Sequence, residues 1–364
     1  MKKLICLIVL LATLFSLVSC GEKYKPVKST KEESRVVMTV AVGTKKYEIK
    51  YELYRAFFLN YRETVDKGDV SVWTGADAAK YIDQINAMIA ENATTIYATL
   101  HFAETLGIDP YSEKFEDQIT EYVRIGIEGN GDVKGHDGDY DAYLKSLKEN
   151  NLNYSVSTLL IRYQLALEAI NVYFGGRVDA VLGNLGSDSE VKADDVKSYY
   201  FSDECARVLH IFYQRGVKSD EELEKIRADI AEKSSELAVA LYIINRSMGL
   251  ESDLIKNEKV TGSIIGKYAL DDTVYSPYTE AVFALDTYET SEVIKVLGDD
   301  PGAYVIYKLS KTEEHFNENY SVIRASYIDN LVGKSILGIK DQMKATVSYT
   351  DEYKEITHSS ISMD

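Results

Sequence analysis

Residues 206–214 read ARVLHIFYQ, one histidine inside a run of aliphatic and aromatic residues of strand length. An imidazole there, His210, is either a hydrogen-bonded packing residue or part of a site. The flanking sequence has to decide. Upstream, SEVKADDVKSYYFSDE (189–204) reads as a short helix leading into the strand, with Cys205 just before it. Downstream, KSDEELEKIRADIAEK opens with a capping box, Ser219 to Glu222, and carries Leu223, Ile226 and Ile230 at helical spacing. A second helix covers about 235–247. VTGSIIGKYAL then brings two glycines, SPYTEAVFAL a short helix, and AYVIYKLSK a final strand. The order over 205–312 is β-α-α-(α)-β-β.

Working outward, VVMTVAVGTKKYEIK alternates around Gly43 and predicts a hairpin over 36–50. Leu53, Phe57 and Tyr61 then begin a helix. Helical patterns follow over 77–107, 112–127, 139–150 and 154–174, the last with Leu159, Tyr163, Ala166 and Ile170 on one side. A long helix ends near 346, and 347–364 reads as a polar tail. Four prolines against 28 tyrosines fit a mostly helical chain with some strand. In EGNGDVKGHDGDYD, Asp137, Asp139 and Asp141 alternate like the start of a calcium loop. Such a loop needs Gly sixth and Glu twelfth, where this chain has Ala142 and Lys148. The stretch therefore reads as a solvated loop capping the next helix, and no metal or other cofactor is expected.

The chain has 364 residues, 45% apolar, enough for two domains with cores of their own. A formal charge of -17 argues against nucleic acid as a partner, since phosphate recognition needs concentrated Lys and Arg. MKKLICLIVLLATLFSLVSCG has two lysines, an apolar run and small residues before Cys20, the pattern of a secretory signal with a bacterial lipobox. It predicts cleavage after residue 19, lipidation of Cys20, and an extracytoplasmic protein held on the outer face of a bacterial membrane. Of three cysteines, Cys6 leaves with the signal and Cys20 takes lipid, so Cys205 has no disulfide partner in the mature chain. Residues 20–35, polar with a slight basic excess, read as a flexible tether near anionic headgroups.

The motifs of 205–312, taken in order, resemble a parvulin-type peptidyl-prolyl isomerase domain. RVLHIF supplies a basic residue, Arg207, three positions before a histidine, His210. GSIIGKY keeps the family's glycine spacing with Gly262, Gly266 and Tyr268, while Ser263 and Ile264 depart from it. PYTEAVFAL supplies Pro277, Tyr278, Ala281 and Phe283. The surrounding layout resembles the extracytoplasmic foldases of the PrsA and SurA group. That resemblance implies an α+β fold, a mostly helical chaperone module with an inserted parvulin-like domain of small antiparallel sheet flanked by helices. The implied domains are a signal at 1–19, a tether at 20–35, a chaperone-like module at 36–204, the isomerase-like domain at 205–312, a completing helix at 313–346 and a tail at 347–364.

The resemblance also implies a site. His210 and Tyr278 are its catalytic positions, and Val274, Pro277, Phe283, Tyr268, Ile265 and Val305 its substrate-binding ones. The family's second histidine position falls on Val305. The family's acid or thiol position counts to Gly249, with Asp253 as a substitute. His101, His136, His315 and His358 read as surface or loop residues. The implied activity is isomerisation of X-Pro bonds in unfolded secreted polypeptides by a membrane-tethered foldase. A homodimer is compatible with it. Two other readings stay open, a holdase on the same architecture without catalysis and a solute-binding lipoprotein. The sequence lacks the alternating βαβ pattern that the last would use.

Overall fold

The computed structural model describes residues 24–131, 133–175, 191–246, 254–256, 259–269, 276–296 and 302–363. The signal segment, Cys20, Val274, Gly249 and Asp253 lie outside the described residues. The fold is α+β, mostly helical, and every strand pairing among the described residues is antiparallel. The parallel sheet of a two-lobed α/β binding protein is not found among the described residues. The chain forms two compact units, Met1–Ser187 with Ser335–Asp364, and Asp188–Lys334.

In the first unit, β1 (Val36–Val42) and β2 (Lys45–Lys50) form the expected hairpin. Their turn carries Gly43 at φ +55°, in the left-handed region. Next come α1 (Tyr51–Asp66), α2 (Ala78–Thr105), α3 (Glu113–Glu128), α4 (Tyr140–Glu149) and α5 (Tyr154–Gly175). α1 buries Leu53, Phe57 and Tyr61, the stripe that its spacing predicts, and Tyr54 and Phe58 beside it. Asp139 caps α4 by accepting from the Ala142 N–H at 3.0 Å, as the loop reading expects.

Residues 24–35 and the C-terminal tail of this unit are more ordered than composition suggests. Residues 24–35 pack on the helices rather than running free. The Ser29 hydroxyl donates to Glu52 at 2.5 Å, Tyr24 donates to Glu128 at 3.0 Å, and Tyr140 donates to the Lys25 carbonyl at 2.8 Å. The polar tail folds too. β9 (Ser348–Tyr349) adds to β1, and Ile361 is buried. Tyr54 donates to Asn86 at 2.8 Å and meets His358 at 3.0 Å, while Asn86 donates to Tyr353 at 2.6 Å. Composition misses both segments because a few residues anchor each through side-chain hydrogen bonds, and no apolar period announces them.

The second unit begins with α6 (Ala193–Phe201), which feeds β3 (Cys205–Gln214). Cys205 is therefore the first residue of the strand, and burial pushes its thiol up to about 11. α7 (Asp220–Ala231) opens with the capping box of Ser219 and Glu222 complete on both sides, and α8 (Glu236–Ile244) is capped by Ser235. A small ladder, β4 (Ile255–Lys256) with β5 (Lys259–Val260), precedes β6 (Ser263–Gly266). Then come α9 (Ser276–Ala284), β7 (Ile294–Val296) and β8 (Gly302–Lys308), and the sheet runs β6-β3-β8-β7. β4, β5 and β7 are too short to show a period of two in the sequence. α10 (Glu313–Glu318) and the start of α11 (Tyr320–Lys344) pack with α6 around Tyr200, Phe316 and Ile323. The compact unit thus takes in residues on both sides of 205–312.

Two glycines of GSIIGKY have local reasons. Gly262 sits at φ +69°, and a Cβ there would lie 2.6 Å from Leu309 Cδ1 and 3.0 Å from the Val208 carbonyl. At Gly266 a Cβ would lie 2.9 Å from the Tyr199 hydroxyl. Gly262→Ala is expected to cost about 1–3 kcal/mol, through strain and crowding together. Urea unfolding followed by circular dichroism checks this; an unchanged midpoint would contradict the packing described.

Candidate functional site

Strand alternation divides β3 into two faces. Leu209 and Ile211 point with Val305 and Tyr307 of β8 into a core covered by α7 and α8. Ala206 and Val208 point the other way, with Ile306, toward Tyr278 and Val282 of α9. His210 belongs to this second face. Its neighbour across β8 is Ile306, and Phe212 pairs with Tyr304.

His210, Tyr278 and Tyr304 form a closed aromatic triangle. The Tyr278 hydroxyl lies 2.9 Å from His210 Nδ1. Ring centroids are 5.6 Å apart for His210–Tyr278, 5.5 Å for His210–Tyr304 and 4.9 Å for Tyr278–Tyr304, all edge-to-face. Phe212 extends the row, 4.7 Å from Tyr304. Burial pushes the His210 imidazole below its ordinary range, so near neutral pH it carries one ring proton. The tautomer sets the direction of this bond: Tyr278 donates to Nδ1 when the ring proton is on Nε2, and accepts when it is on Nδ1.

The expected substrate-binding residues divide into several groups. Ile265 and Phe283 border the Tyr278 cluster, and Pro277 is exposed on the first turn of α9. Tyr268 is half-buried, held by its backbone N–H donating to Asn330 at 2.8 Å. Val274 lies outside the described residues. Val305 does not belong to the site. It is 1% exposed in the opposite core, because Ile211 is its cross-strand partner and Leu209 and Ile211 of β3 face α7 and α8. The β8 residues on the His210 face are Tyr304 and Ile306, on either side of Val305. Only the strand register decides which of two adjacent residues shares a face with His210.

His315 is a second correction, since it is buried rather than at the surface. Its Nε2 lies 2.7 Å from the Thr261 carbonyl and its Nδ1 2.9 Å from the Tyr200 hydroxyl. The carbonyl can only accept, so Nε2 carries the proton and Tyr200 donates to Nδ1 in the neutral ring. Burial, then the nearby Arg207 charge, push this imidazole down as well.

Chemically, the triangle offers a neutral imidazole, a phenol and aromatic faces. No group of three His, Cys, Asp or Glu side chains suited to a metal occurs among the described residues. Two cavities are described, of about 230 Å³ beside Tyr213 and Lys295 and about 520 Å³ beside Arg35 and Glu355. Neither is lined by His210 or Tyr278. No described helix is long and apolar enough to cross a membrane.

No family model and no curated protein matches this chain. It is similar to solved structures of foldase protein PrsA. That from Streptococcus pneumoniae is 14% identical, with 84% of this chain and 93% of that one covered and a TM-score of 0.27. The Lactococcus lactis protein is 10% identical, with 90% and 100% covered and a TM-score of 0.26. The peptidylprolyl isomerase PrsA from Bacillus anthracis is 16% identical, with 74% and 100% covered and a TM-score of 0.27. The chemistry of this chain rests on its own residues.

A histidine held below its unfolded value adds stability that is complete above about pH 6.5 and is lost as pH falls toward the folded value. His210, His315 and His358 are all depressed by burial. Stability is therefore expected to fall between about pH 7 and pH 5, and His210→Phe to reduce the slope. Urea midpoints across that range check it; a slope unchanged in His210→Phe would mean that His210 titrates normally.

Proposed function

We propose that this chain is a membrane-tethered extracytoplasmic foldase that binds unfolded secreted polypeptides and speeds cis–trans isomerisation of their X-Pro bonds. The observation that carries the reading is the His210–Tyr278–Tyr304 triangle, with a 2.9 Å hydrogen bond holding Tyr278 from within the sheet. An X-Pro amide rotates in tens to hundreds of seconds because of its partial double-bond character. Twisting it breaks conjugation and reduces its charge separation. An apolar aromatic surface disfavours the planar amide relative to the twisted one, so no covalent or metal-assisted step is required. On this reading, Tyr278 meets the proline ring at an aromatic edge bordered by Ile265 and Phe283, while His210 fixes the angle of Tyr278. Pro277, Tyr268 and Val274 would extend the substrate-binding edge. Cys20 would carry the lipid.

A holdase on the same architecture is the second reading. It is favoured by the burial of Tyr278, 7% exposed, which leaves little of its ring to meet a substrate. Exposed segments with aromatics can hold extended chains without catalysis.

Residues 21–364 should accelerate isomerisation of a short X-Pro peptide and refolding of a protein limited by a cis-proline. His210→Ala removes a hydrogen bond of about 1.4 kcal/mol, so roughly a tenfold loss in kcat/KM is expected, and Tyr278→Ala should lose more. No acceleration by the wild type, together with suppressed aggregation of an unfolded client, would replace the isomerase with the holdase. Absence of both would sink the foldase reading.

A further inference from the structure

Residues 24–35 are pinned along their length. Tyr24 reaches α3 through Glu128, and its ring lies 5.5 Å from that of Tyr140 on α4, which also donates to the Lys25 carbonyl. Ser29 reaches α1 through Glu52, which is itself buried and accepts from Asn153 at 2.9 Å and Ser155 at 2.9 Å. Glu33 bonds Arg55 at 2.7 Å and accepts from Asn153 at 3.1 Å. Hydrogen bonds from the Thr30 backbone and then Arg55 outweigh burial and lower its carboxyl to about 2. Backbone bonds Tyr51 N–H to the Arg35 carbonyl, 2.8 Å, and Glu52 N–H to the Glu33 carbonyl, 3.1 Å, complete the docking.

Docking changes the reach of the chain. From Cys20 to Val36 a free tether could extend about 56 Å, at roughly 3.5 Å per residue; from Cys20 to Tyr24 the limit is about 14 Å. On the same docked segment Lys25, Lys28 and Lys31 are exposed and make no ion pair among the described residues. Val27 between them is 47% exposed. In a chain of net charge -17, this is a basic strip with an apolar residue in it, at the end that the lipid-anchor reading puts nearest the membrane. The Debye length at physiological salt is about 8 Å, so the lysines act on headgroups only in close approach, and docking makes that approach bring the first unit with it.

We propose that residues 24–35 are a splint rather than a spacer. They seat the first unit on an anionic bilayer, with Lys25, Lys28 and Lys31 against lipid headgroups and Val27 at the interface. This rests on the lipid-anchor reading of Cys20. The unit is then carried at the membrane surface instead of ranging tens of ångströms from it.

The test uses the full lipidated protein in vesicles of phosphatidylcholine with one quarter phosphatidylglycerol. Intact mass first establishes the diacyl group; its absence would overturn the anchor and the proposal with it. Val27→Cys is then labelled with an environment-sensitive fluorophore, Cys205 being buried. Quenching by headgroup nitroxide lipid should be at least threefold stronger than in the Lys25→Gln, Lys28→Gln, Lys31→Gln variant. It should also be stronger than in Tyr24→Ala, Ser29→Ala, which undocks the splint from its own side and leaves the helices intact. With the lipid present, equal weak quenching in all three proteins would overturn the proposal while leaving the anchor standing. Strong quenching in all three would also overturn it, because proximity would then come from the lipid alone.

Discussion

The second unit is organised around one buried guanidinium. Arg207 is 4% exposed, and its Nε donates to the Thr261 carbonyl at 2.9 Å and its Nη1 to the Ser310 carbonyl at 2.8 Å. Nη2 takes the Val260 carbonyl, and Glu236 at 3.2 Å supplies the countercharge. Glu236 in turn accepts from the backbone and hydroxyl of Ser310. One side chain therefore ties β3 to the end of β5, the start of α8 and the exit of β8. The Thr261 carbonyl that Arg207 uses also takes His315, which extends the network to α10. A charge this enclosed is tolerable only because every direction is answered; removing one partner from such a pair typically costs about 3–5 kcal/mol. His210 sits three residues along the same strand, on the other face, so its position is inherited from the Arg207 network.

Much of this was legible in the sequence because it depends on local chemistry. The hairpin at 36–50, the capping box at Ser219 and the α1 stripe each announce themselves within a few residues. The Asp139 cap is equally local. What was not legible depends on distant partners. Residues 24–35 and 347–364 lack an apolar period. They are fixed by Ser29 on Glu52 and by Tyr353 on Asn86, contacts that only a folded surface can offer. His315 is hidden for the same reason, since nothing next to it in the chain says that Tyr200 and Thr261 will enclose it.

The site divides the same way. His210 and Tyr278 were found from the order of weak motifs, and the structure joins them by a hydrogen bond. Val305 was a one-residue error. On a strand adjacent residues face opposite sides, so a position matched to Val305 falls in the opposite core. Here Gly302 pairs with Gln214 and fixes the register that turns Tyr304 toward His210. A Cβ at Gly302 would meet Phe212 and the Tyr213 carbonyl below 2.5 Å, so the close approach of the strands needs glycine there.

A phenol ring beside His210 has a definite chemical meaning. Two neutral histidines facing each other can exchange donor and acceptor roles, whereas a phenol ring packed edge-on against His210 gives the imidazole a fixed apolar wall. Amide rotation transfers no proton, so nothing in the chemistry requires the second ring nitrogen. What it requires is a pyrrolidine held against an apolar surface and a carbonyl free to turn. Each ring of the triangle touches the other two, and on the proposed function this packed wall is what would separate the twisted amide from the planar one. The same packing keeps Tyr278 mostly buried. On that reading rate and access are opposed: a substrate proline would use the wall only where Tyr278, bonded to His210, still presents an edge beside Ile265 and Phe283.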